Sequence, residues 1–354
     1  MKPAEWSEIE RVYLEVSELR HEDRAAFLDR ACAAAPELRK EVDSLLAADR
    51  GRGKFLERPP ARLAADLLAT NPGTLTAGQL VCGYEVESLC SVGGMGEVYF
   101  ARDVHSQQPV ALKLLQQRFT ADLHAVERFE REARAVSALR HPNIVAVHKF
   151  GTSAVGLYIA MEWVDGITWR PLMKAGGAQL ERAIGWAAQA AGALAAAHAA
   201  GIVHRDIKPE NMMLDKAEVV KIVDFGLARL GGTVTPDVEA IGSSGTISGT
   251  LSGTLSYMPP ELLLGEFASS ASDVFSLGSV FYELFTGRHP FSGPTPLDVY
   301  EAIECGTPEA PSKVRAEIPP ALDRLLLRML AKDPESRPLA WGVAEELQAM
   351  VQAN

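Results

Sequence analysis

The character of the sequence changes near residue 83 and again near residue 180, and this order restricts the fold more than any other feature. Between these points lie short segments rich in β-branched and aromatic residues, including GYEVESL, EVYFARD and PVALKLL, with turn residues between them. They are typical of an antiparallel sheet, interrupted by a helix around residues 122–139. Beyond residue 180 the pattern is mainly helical. A small β-rich lobe followed by a larger helical lobe is an α+β architecture, in which ligands often bind between the lobes.

Composition excludes several classes of protein. The 354 residues are 47% hydrophobic and 23% charged, which is typical of a globular chain with a substantial core. A net charge of -11 argues against a protein that holds nucleic acid by neutralising its phosphates. The four cysteines are scattered without C-x-x-C spacing, so we expect neither a disulfide framework nor a zinc site, and a cytoplasmic location.

One uncharged stretch, Ala183 to Val203, has about the length of a membrane span. It consists mostly of alanine and contains Gln189, His198 and three glycines, so it has few large apolar side chains. We therefore predict a tightly packed core helix and no membrane span. The N-terminus, MKPAEWSEIE, has no apolar core of a signal peptide.

The N-terminal region predicts a separate, all-α segment over residues 1–50. Trp6, Ile9, Tyr13 and Val16 recur at helical spacing, and two further short helices follow. Residues 51–80 predict a linker with a short helix around 61–69. The remaining domain covers residues 81–354, with a small lobe over about 81–164 and a large lobe over about 165–354.

Two motifs in the β-rich part have the residues of a phosphate site. S-V-G-G-M-G-E-V (91–98) lies between two strands, and glycines there would let backbone amides approach phosphate oxygens, although such a turn alone is more often only a turn. V-A-L-K (110–113) ends in Lys113, and Glu132 lies on the intervening helix. A Lys113–Glu132 ion pair would hold the ammonium against nucleotide phosphates, whereas each residue alone is more often simply solvated.

The segment H-R-D-I-K-P-E-N (204–211) has the most specific chemistry. Asp206 can accept a proton from a hydroxyl, Lys208 can neutralise a transferred phosphoryl group, and Asn211 can ligate magnesium. D-F-G (224–226) then provides Asp224 as a second metal ligand. Either tripeptide is common by chance, but both in this order after Lys113 and Glu132 are not.

From about Gly83 to its C-terminus the chain resembles the eukaryotic-like (Hanks-type) serine/threonine protein kinases of bacteria. Later segments match in order: S-Y-M-P-P-E (256–261), S-D-V-F-S-L-G (272–278) and K-D-P-E-S-R-P (332–338). The resemblance implies the two-lobed protein kinase fold and a buried Glu261–Arg337 ion pair. It also implies that Asp273 binds the backbone around His204 and Arg205.

The resemblance also implies a nucleotide site for ATP, with Mg²⁺ or alternatively Mn²⁺. Met161 matches the gatekeeper, the backbone of Glu162 and Val164 would meet the adenine edge, and Val98, Ala111 and Met213 would enclose the ring. The implied nucleotide-binding residues are Ser91, Gly93, Gly94, Gly96, Val98, Ala111, Lys113, Met161, Glu162, Val164 and Met213. An apolar stack joining the lobes would contain Val136, Val147, His204 and Phe225.

The resemblance implies transfer of the ATP γ-phosphate to serine or threonine hydroxyls of protein substrates. Serine/threonine selectivity rests on Lys208 and on Thr254, which in the family hydrogen-bonds the catalytic aspartate and lysine. The implied catalytic residues are Lys113, Glu132, Asp206, Lys208 and Thr254, and the metal ligands are Asn211 and Asp224. The alternative is a nucleotide-binding pseudokinase or scaffold without turnover.

The chain departs from the family pattern at three positions. Ser91 replaces the first glycine of the loop, where a β-carbon stiffens the turn and could raise the KM for ATP. Pro259 replaces the alanine of A-P-E, and Trp163 stands where tyrosine is frequent. None of these changes removes a catalytic group.

Residues 244–255 repeat the unit S-G-T three times, as S-G-T-I, S-G-T-L and S-G-T-L. One interpretation is a flexible, low-complexity loop. The other is a cluster of autophosphorylation sites, with Thr246, Ser248 or Thr250 as acceptors and self-association for transfer between copies. Three arginines, Arg128, Arg205 and Arg229, match the family's phosphate-binding positions and would bind such a phosphate.

Overall fold

The computed structural model describes residues 27–28, 39, 74–93, 96–115, 123–174, 178–225 and 255–353. The chain divides into two compact units, Met1–Pro72 and Gly73–Asn354. In the first unit Phe27, Leu28 and Arg39 are helical, and Leu28 is buried. The other predicted N-terminal helical residues lie outside the described residues, so the all-α segment stays a prediction.

The second unit begins before residue 81, where sequence reasoning placed the catalytic domain. Residues 74–79, predicted to be the end of the linker, pack against the first sheet of this unit, and the side chain of Leu75 is only 5% exposed. Leu75 is the one large apolar residue among small and polar ones in this segment, so it carries no periodic signal, yet it is buried in the sheet's apolar cluster. The boundary of the catalytic domain at residue 81 stays a prediction.

The small lobe is built on a six-stranded antiparallel sheet with the order β1-β2-β3-β4-β6-β5. Its strands are β1 (Leu80–Val81), β2 (Tyr84–Gly93), β3 (Gly96–Asp103), β4 (Pro109–Leu115), β5 (Val147–Ser153) and β6 (Gly156–Glu162). Most connections are short turns, as the turn residues between the β-rich segments predict. This confirms the β-rich lobe.

The register of β3 and β4 assigns their side chains to two faces. Val98 pairs with Lys113, and Tyr99 pairs with Leu112. Because successive side chains of a strand point to opposite faces, Val98 and Lys113 share one face and Tyr99 and Leu112 share the other. The face of Tyr99 is covered by an apolar cluster that includes Leu75. The face of Lys113 points toward the candidate site.

Helix α1 (Leu123–Ala138) connects β4 to β5 and packs against the sheet. Phe129, Ala133 and Val136 recur at helical spacing and are buried, which explains why this segment is an amphipathic helix. The Phe129 ring meets the Phe150 ring of β5 edge to face, with ring centroids 6.2 Å apart. Glu132 is thereby held at the side of the sheet.

The large lobe is helical apart from a small antiparallel sheet of β7 (Gly166–Thr168), β8 (Met212–Asp215) and β9 (Val220–Ile222). Its helices are α2 (Trp169–Lys174), α3 (Leu180–Ala199), α4 (Pro260–Leu263), α5 (Ser270–Thr286), α6 (Pro296–Cys305), α7 (Pro311–Val314), α8 (Pro320–Met329) and α9 (Ala340–Ala353). Helices α3 and α5 lie at its centre, and α5 is buried along most of its length. This confirms the predicted two-lobed α+β fold.

Helix α3 contains most of the uncharged, alanine-rich stretch that begins at Ala183. Ten of its residues are buried, among them seven alanines, and α3 packs closely on α9. Small side chains allow helices to approach closely, which accounts for the composition. Among the helices of the described ranges, none has the length and apolar character needed to cross a membrane.

The segment that follows α1 joins the two lobes through β9. The Val145 amide donates to Ile222 O at 3.0 Å, and the Ile222 amide donates to Asn143 O at 2.9 Å. The Asn143 side chain also donates to Val220 O at 2.9 Å. Strand β9 leads directly to Asp224, so these bonds place Asp224 close to the small lobe.

Candidate active site

The loop that follows α3 is held in place by one buried carboxylate of α5. Asp273 Oδ2 accepts a hydrogen bond from the His204 amide at 2.7 Å, and Oδ1 accepts one from the Arg205 amide at 2.8 Å. His198 Nε2 lies 2.9 Å from Asp273 Oδ2. Arg205 has a φ of 69°, an uncommon conformation for a side chain other than glycine, and these bonds offset its cost. The predicted role of Asp273 is confirmed.

Asp206, Lys208 and Asn211 come together as the sequence spacing predicts. The Asn211 amide nitrogen donates to Asp206 O at 2.7 Å and to Asp206 Oδ2 at 2.9 Å. Lys208 Nζ lies 2.7 Å from the same Oδ2. Both donors contact one carboxylate oxygen, so Asp206 is oriented by its neighbours and its Oδ1 is directed elsewhere.

His204 connects this loop to the segment around Asp224. Its Nδ1 accepts from the Asp206 amide at 3.2 Å, so the ring proton is on Nε2, which donates to Val223 O at 2.9 Å. The imidazole also packs against the Phe225 ring, with ring centroids 4.6 Å apart. Phe225 shares a buried apolar cluster with Val136 and Val147. The structure therefore brings the four residues of the predicted stack into one region.

The predicted Lys113–Glu132 ion pair is not the one that the described residues form. Lys113 Nζ lies 2.8 Å from Asp224 Oδ1, and the lysine side chain is only 4% exposed. Glu132 Oε1 lies 2.9 Å from an Arg205 guanidinium nitrogen, and Glu132 Oε2 is buried without a hydrogen-bond partner in the described part of the chain. A buried ammonium needs a carboxylate, and both Glu132 and Asp224 qualify. Sequence spacing cannot choose between two such pairings.

Asp224 lies at a sharp turn, as its motif predicts. Its φ of 62° is in the left-handed region, which aspartate tolerates better than most residues with a side chain. This turn directs the carboxylate to Lys113 and away from the extended course of β9. Asp224 and Asn211 present an acid and an amide, and their oxygens are of the kind that Mg²⁺ prefers.

An apolar cluster joins side chains of the two lobes. Met161 and Val164 form a buried cluster with Val145, and Ala111 and Met213 pack against it. Val223 also packs there. Val98 lies on the same face of the sheet as Ala111 and Lys113. Sequence reasoning missed Val145 and Val223, which precede β5 and follow β9, because neither lies within a catalytic motif.

The side chain of Glu162 braces the connection between the lobes. Glu162 Oε1 lies 2.6 Å from Lys221 Nζ, Oε2 accepts from the Ala146 amide, and the Glu162 amide donates to Ala146 O. The family role of Glu162 and Val164 involves their backbone at the adenine edge, and that role stays a prediction.

The predicted phosphate loop is the hairpin between β2 and β3. Ser91 pairs with Val98, and Gly93 pairs with Gly96. Gly96 has a φ of 147°, and a Cβ there would lie 1.9 Å from Leu114 O on β4. Glycine at 96 is therefore required by the sheet itself, a constraint that the motif alone does not reveal. Gly94 lies outside the described residues.

A second buried ion pair fixes the loop that contains S-Y-M-P-P-E. Two Arg337 nitrogens lie 2.7 and 2.8 Å from the two oxygens of Glu261. The Ser272 hydroxyl also donates to Glu261, at 2.7 Å. Burial alone would raise the pKa of Glu261, but the hydrogen bonds from Arg337 and Ser272 outweigh it and lower the pKa. The predicted Glu261–Arg337 pair is confirmed.

Sequence reasoning missed a network centred on Arg170 of α2. Its guanidinium lies 2.7 Å from Glu210 and 2.9 Å from Glu283, and donates to the Tyr257 hydroxyl at 2.6 Å. The Tyr257 hydroxyl donates in turn to Glu283. Burial and the adjacent Glu283 raise the pKa of Tyr257, so the hydroxyl stays protonated. The network ties the end of the catalytic loop to α5; its members are far apart in sequence and share no motif.

Several predicted residues lie outside the described residues, and their roles stay predictions. They are Thr254, Gly226, Arg229 and the acceptors Thr246, Ser248 and Thr250. Leu255, the last residue of the S-G-T repeats, is described and is buried in an apolar cluster with Leu263 and Phe275.

Comparison with known proteins is consistent with this geometry. The family described as "Protein kinase domain" matches residues 84–349. The serine/threonine-protein kinase PknB of Mycolicibacterium smegmatis is 39% identical over 275 residues, which are 75% of this chain and 42% of the relative. The serine/threonine-protein kinase pkn3 of Myxococcus xanthus is 37% identical over 278 residues, 76% of this chain and 49% of the relative. The chain thus spans less than half the length of both.

A solved structure shows the same fold. The crystal structure of the PknI kinase domain of Mycobacterium tuberculosis aligns with a TM-score of 0.60 at 28% identity, covering 78% of this chain and 99% of that one. The match covers both lobes and the candidate site between them. The chain therefore belongs to the protein kinase family, among the bacterial serine/threonine protein kinases.

Proposed function

We propose that this chain transfers the γ-phosphate of ATP to serine or threonine hydroxyls of protein substrates. The observation that carries the proposal is the orientation of Asp206, whose Oδ2 is held by Asn211 at 2.9 Å and by Lys208 at 2.7 Å. Both donors act on Oδ2, so Oδ1 is the oxygen that can meet a substrate hydroxyl and accept its proton. The relatives named serine/threonine-protein kinases support the choice of acceptor.

The apolar cluster has the side chains that would contact the adenine ring of ATP. Ala111, Met161, Val164 and Met213 provide the apolar surfaces, and Val98 lies on the same face of the sheet. Lys113 on that face donates to phosphate oxygens of the bound nucleotide, which requires it to exchange its bond with Asp224. Lys208, beside Asp206, neutralises negative charge on the transferred phosphoryl group.

Asn211 and Asp224 are the residues that would hold a divalent cation, and their oxygens fit Mg²⁺, with Mn²⁺ as the alternative. Within the described residues no cluster of three or more acidic, histidine or cysteine side chains could hold a metal ion. Two protein ligands would leave the other coordination positions of the cation to the nucleotide phosphates and water. When bound, the cation neutralises charge on the phosphates. The Asn211 amide nitrogen donates to Asp206, which directs Asn211 Oδ1 away from it.

Two observed ion pairs, Lys113 with Asp224 and Arg205 with Glu132, support regulation by phosphorylation. Arg205, which Glu132 now holds at 2.9 Å, is one of the three arginines predicted to bind a phosphate of the activation segment. A phosphate there would compete with Glu132 for Arg205, and the released Glu132 could pair with Lys113. Phosphate transfer between two copies, with transient self-association, would supply this modification. We infer that the reaction takes place in the cytoplasm, because the cysteines are scattered without paired spacing and the reaction needs ATP.

The test measures transfer of labelled γ-phosphate to the protein itself and to a generic basic protein. We expect Asp206→Asn to lower the rate by about 100- to 10,000-fold, since it removes the proton acceptor. The control is Asp165→Asn, which removes a carboxylate from an exposed ion pair with Lys216. Mass spectrometry locates the phosphate, expected between residues 240 and 254. Equal, barely measurable rates in wild type and Asp206→Asn would favour the scaffold without turnover.

A further inference from the structure

Residues 74–79, which we call the strap, form a compact turn against the small-lobe sheet. The Gly78 amide donates to Val86 O at 2.8 Å, and the Val86 amide donates to Gln79 O at 3.0 Å. The Gln79 amide donates to Thr76 O, and the Gln79 side chain accepts from the Thr76 amide. The strap is thus an ordered element with its own internal hydrogen bonds, joined to β2 at Val86.

The other end of the strap binds β3 through two successive backbone amides. The Thr74 amide donates to Glu97 Oε2 at 2.9 Å, and the Leu75 amide donates to the Tyr99 hydroxyl at 3.0 Å. The Tyr99 hydroxyl donates to the same Glu97 oxygen. Burial and this contact with Glu97 raise the pKa of Tyr99 to about 12, so the hydroxyl keeps its proton. The two side chains and two amides form a closed set of hydrogen bonds.

Glu97 and Tyr99 alternate along β3 with residues of the nucleotide site. Gly96 and Val98 point to the opposite face, where Lys113 lies. Strand β2, the other neighbour of β3, has register irregularities between Val86 and Ser88 and between Leu89 and Ser91. A bulged strand constrains its partner less than a regular one does. The strap joins β2 and β3 on the reverse side of this irregular part.

We propose that Tyr99, Glu97 and Leu75 are positioning residues for nucleotide binding. Through these three residues the strap fixes the position of β3. Gly96 and Val98 on that strand then lie where they can contact the bound nucleotide. The buried side chain of Leu75 anchors the strap, and Tyr99 and Glu97 fix where its backbone lies. The inference rests on the proposed function, because it concerns the nucleotide site of that reaction.

The test uses Tyr99→Phe in the full chain, which removes the hydroxyl and keeps the ring. We expect the Kd for ADP, measured by calorimetry, to rise about 5- to 10-fold, since bonds to a carboxylate and to a backbone amide are lost. The KM for ATP rises in parallel, and kcat stays within about 2-fold, because Asp206 and Lys208 are unaffected. Glu97→Gln, whose amide oxygen still accepts both bonds, keeps near-normal affinity, whereas Glu97→Ala resembles Tyr99→Phe.

The matched control is Tyr158→Phe, which removes a hydroxyl from another buried tyrosine of the same apolar cluster, outside the strap. Thermal unfolding of both variants measures the general softening of the sheet. An unchanged Kd in Tyr99→Phe overturns the inference, and so does an equal rise in Tyr158→Phe. If the wild type binds no nucleotide at all, the proposed function itself fails, so the two failures are distinguishable.

Discussion

Glu261 of the large lobe is bound at both carboxylate oxygens, whereas Glu132 of the small lobe is bound at one. Glu261 binds two nitrogens of Arg337 and the hydroxyl of Ser272, and its side chain is 6% exposed. Glu132 binds Arg205 through Oε1, keeps a buried Oε2 without a partner among the described residues, and has a side chain 24% exposed. Both glutamates lie in the same catalytic unit and face an arginine.

The difference separates a fixed part of the site from an adjustable one. Removing Glu261 from its partners would leave a buried guanidinium without a counter-charge, which is strongly unfavourable. The predicted alternative partner of Glu132 is Lys113, whose present partner is Asp224. If Lys113 pairs with Glu132, every charge stays compensated once Arg205 binds a phosphate and Asp224 binds a cation. The frame around Glu261 is therefore stable, and the pairing of Glu132 can respond to a ligand or a modification.

Arg337→Ala should have the largest effect on stability. It leaves the Glu261 carboxylate buried without its charged partner, and we expect the free energy of unfolding to fall by about 3–5 kcal/mol. Chemical denaturation followed by circular dichroism measures it. The control is Arg328→Ala, whose ion pair with Glu346 has side chains 49% and 42% exposed, and which should cost no more than about 1 kcal/mol. Equal losses of unfolding free energy in the two variants would contradict the conclusion that the surroundings of Glu261 are the fixed part of the site.

Glu132→Gln should have an intermediate effect, and on activity rather than on stability. The amide cannot form an ion pair with Lys113, so we expect kcat/KM to fall about 10- to 100-fold, while the free energy of unfolding changes by no more than about 1 kcal/mol. Phosphate transfer and denaturation on the same samples measure both. Glu130→Gln, two residues away on helix α1, is the control. A large loss of stability with normal activity would reverse the comparison.

The smallest effect is on the pH dependence of stability. The hydrogen bonds from Arg337 and Ser272 hold the pKa of Glu261 below its ordinary value of 4.5. A carboxyl group with a lower pKa in the folded state stabilises the protein fully above its unfolded pKa, and this stabilisation is lost as pH falls through the folded pKa. Glu261→Gln leaves Arg337 buried without a counter-charge, so it lowers the free energy of unfolding across the whole pH range. Beyond that overall loss, we expect it to flatten the acid limb of the curve of unfolding free energy against pH. Glu346→Gln, which changes an exposed ion pair, should leave the acid limb of that curve as it is in the wild type.

Local spacing explains what could be predicted of the site. Asp206, Lys208 and Asn211 lie within one short loop, so their sequence separation nearly determines their geometry. The Glu261–Arg337 pair is distant in sequence and came from the family resemblance. The two lobes followed from the change between β-rich and helical segments, because periodicity and β-branched content report secondary structure directly.

The features that were not predicted depend on choices among equivalent partners or on isolated residues. Lys113 can pair with Glu132 or Asp224, and the charges alone favour neither. Leu75 is a single apolar residue in a polar segment, so its burial leaves no pattern. The Arg170 network joins residues from four separate segments. In each case tertiary contacts decide, and a single sequence contains no record of them.

Gly93 and Gly96 of the β2–β3 hairpin would give different results in a mutational scan of the whole chain. A Cβ at Gly96 would lie 1.9 Å from the Leu114 carbonyl oxygen, so substitutions there should lower the amount of folded protein in the cell. Among the described residues, a Cβ at Gly93 would meet Gly96 O at 4.0 Å, an ordinary van der Waals distance. Substitutions at Gly93 should leave protein abundance unchanged and alter only ATP use. Loss of variants at residue 96 from such a scan would thus indicate a folding defect. Loss of variants at residue 93 would indicate a catalytic defect.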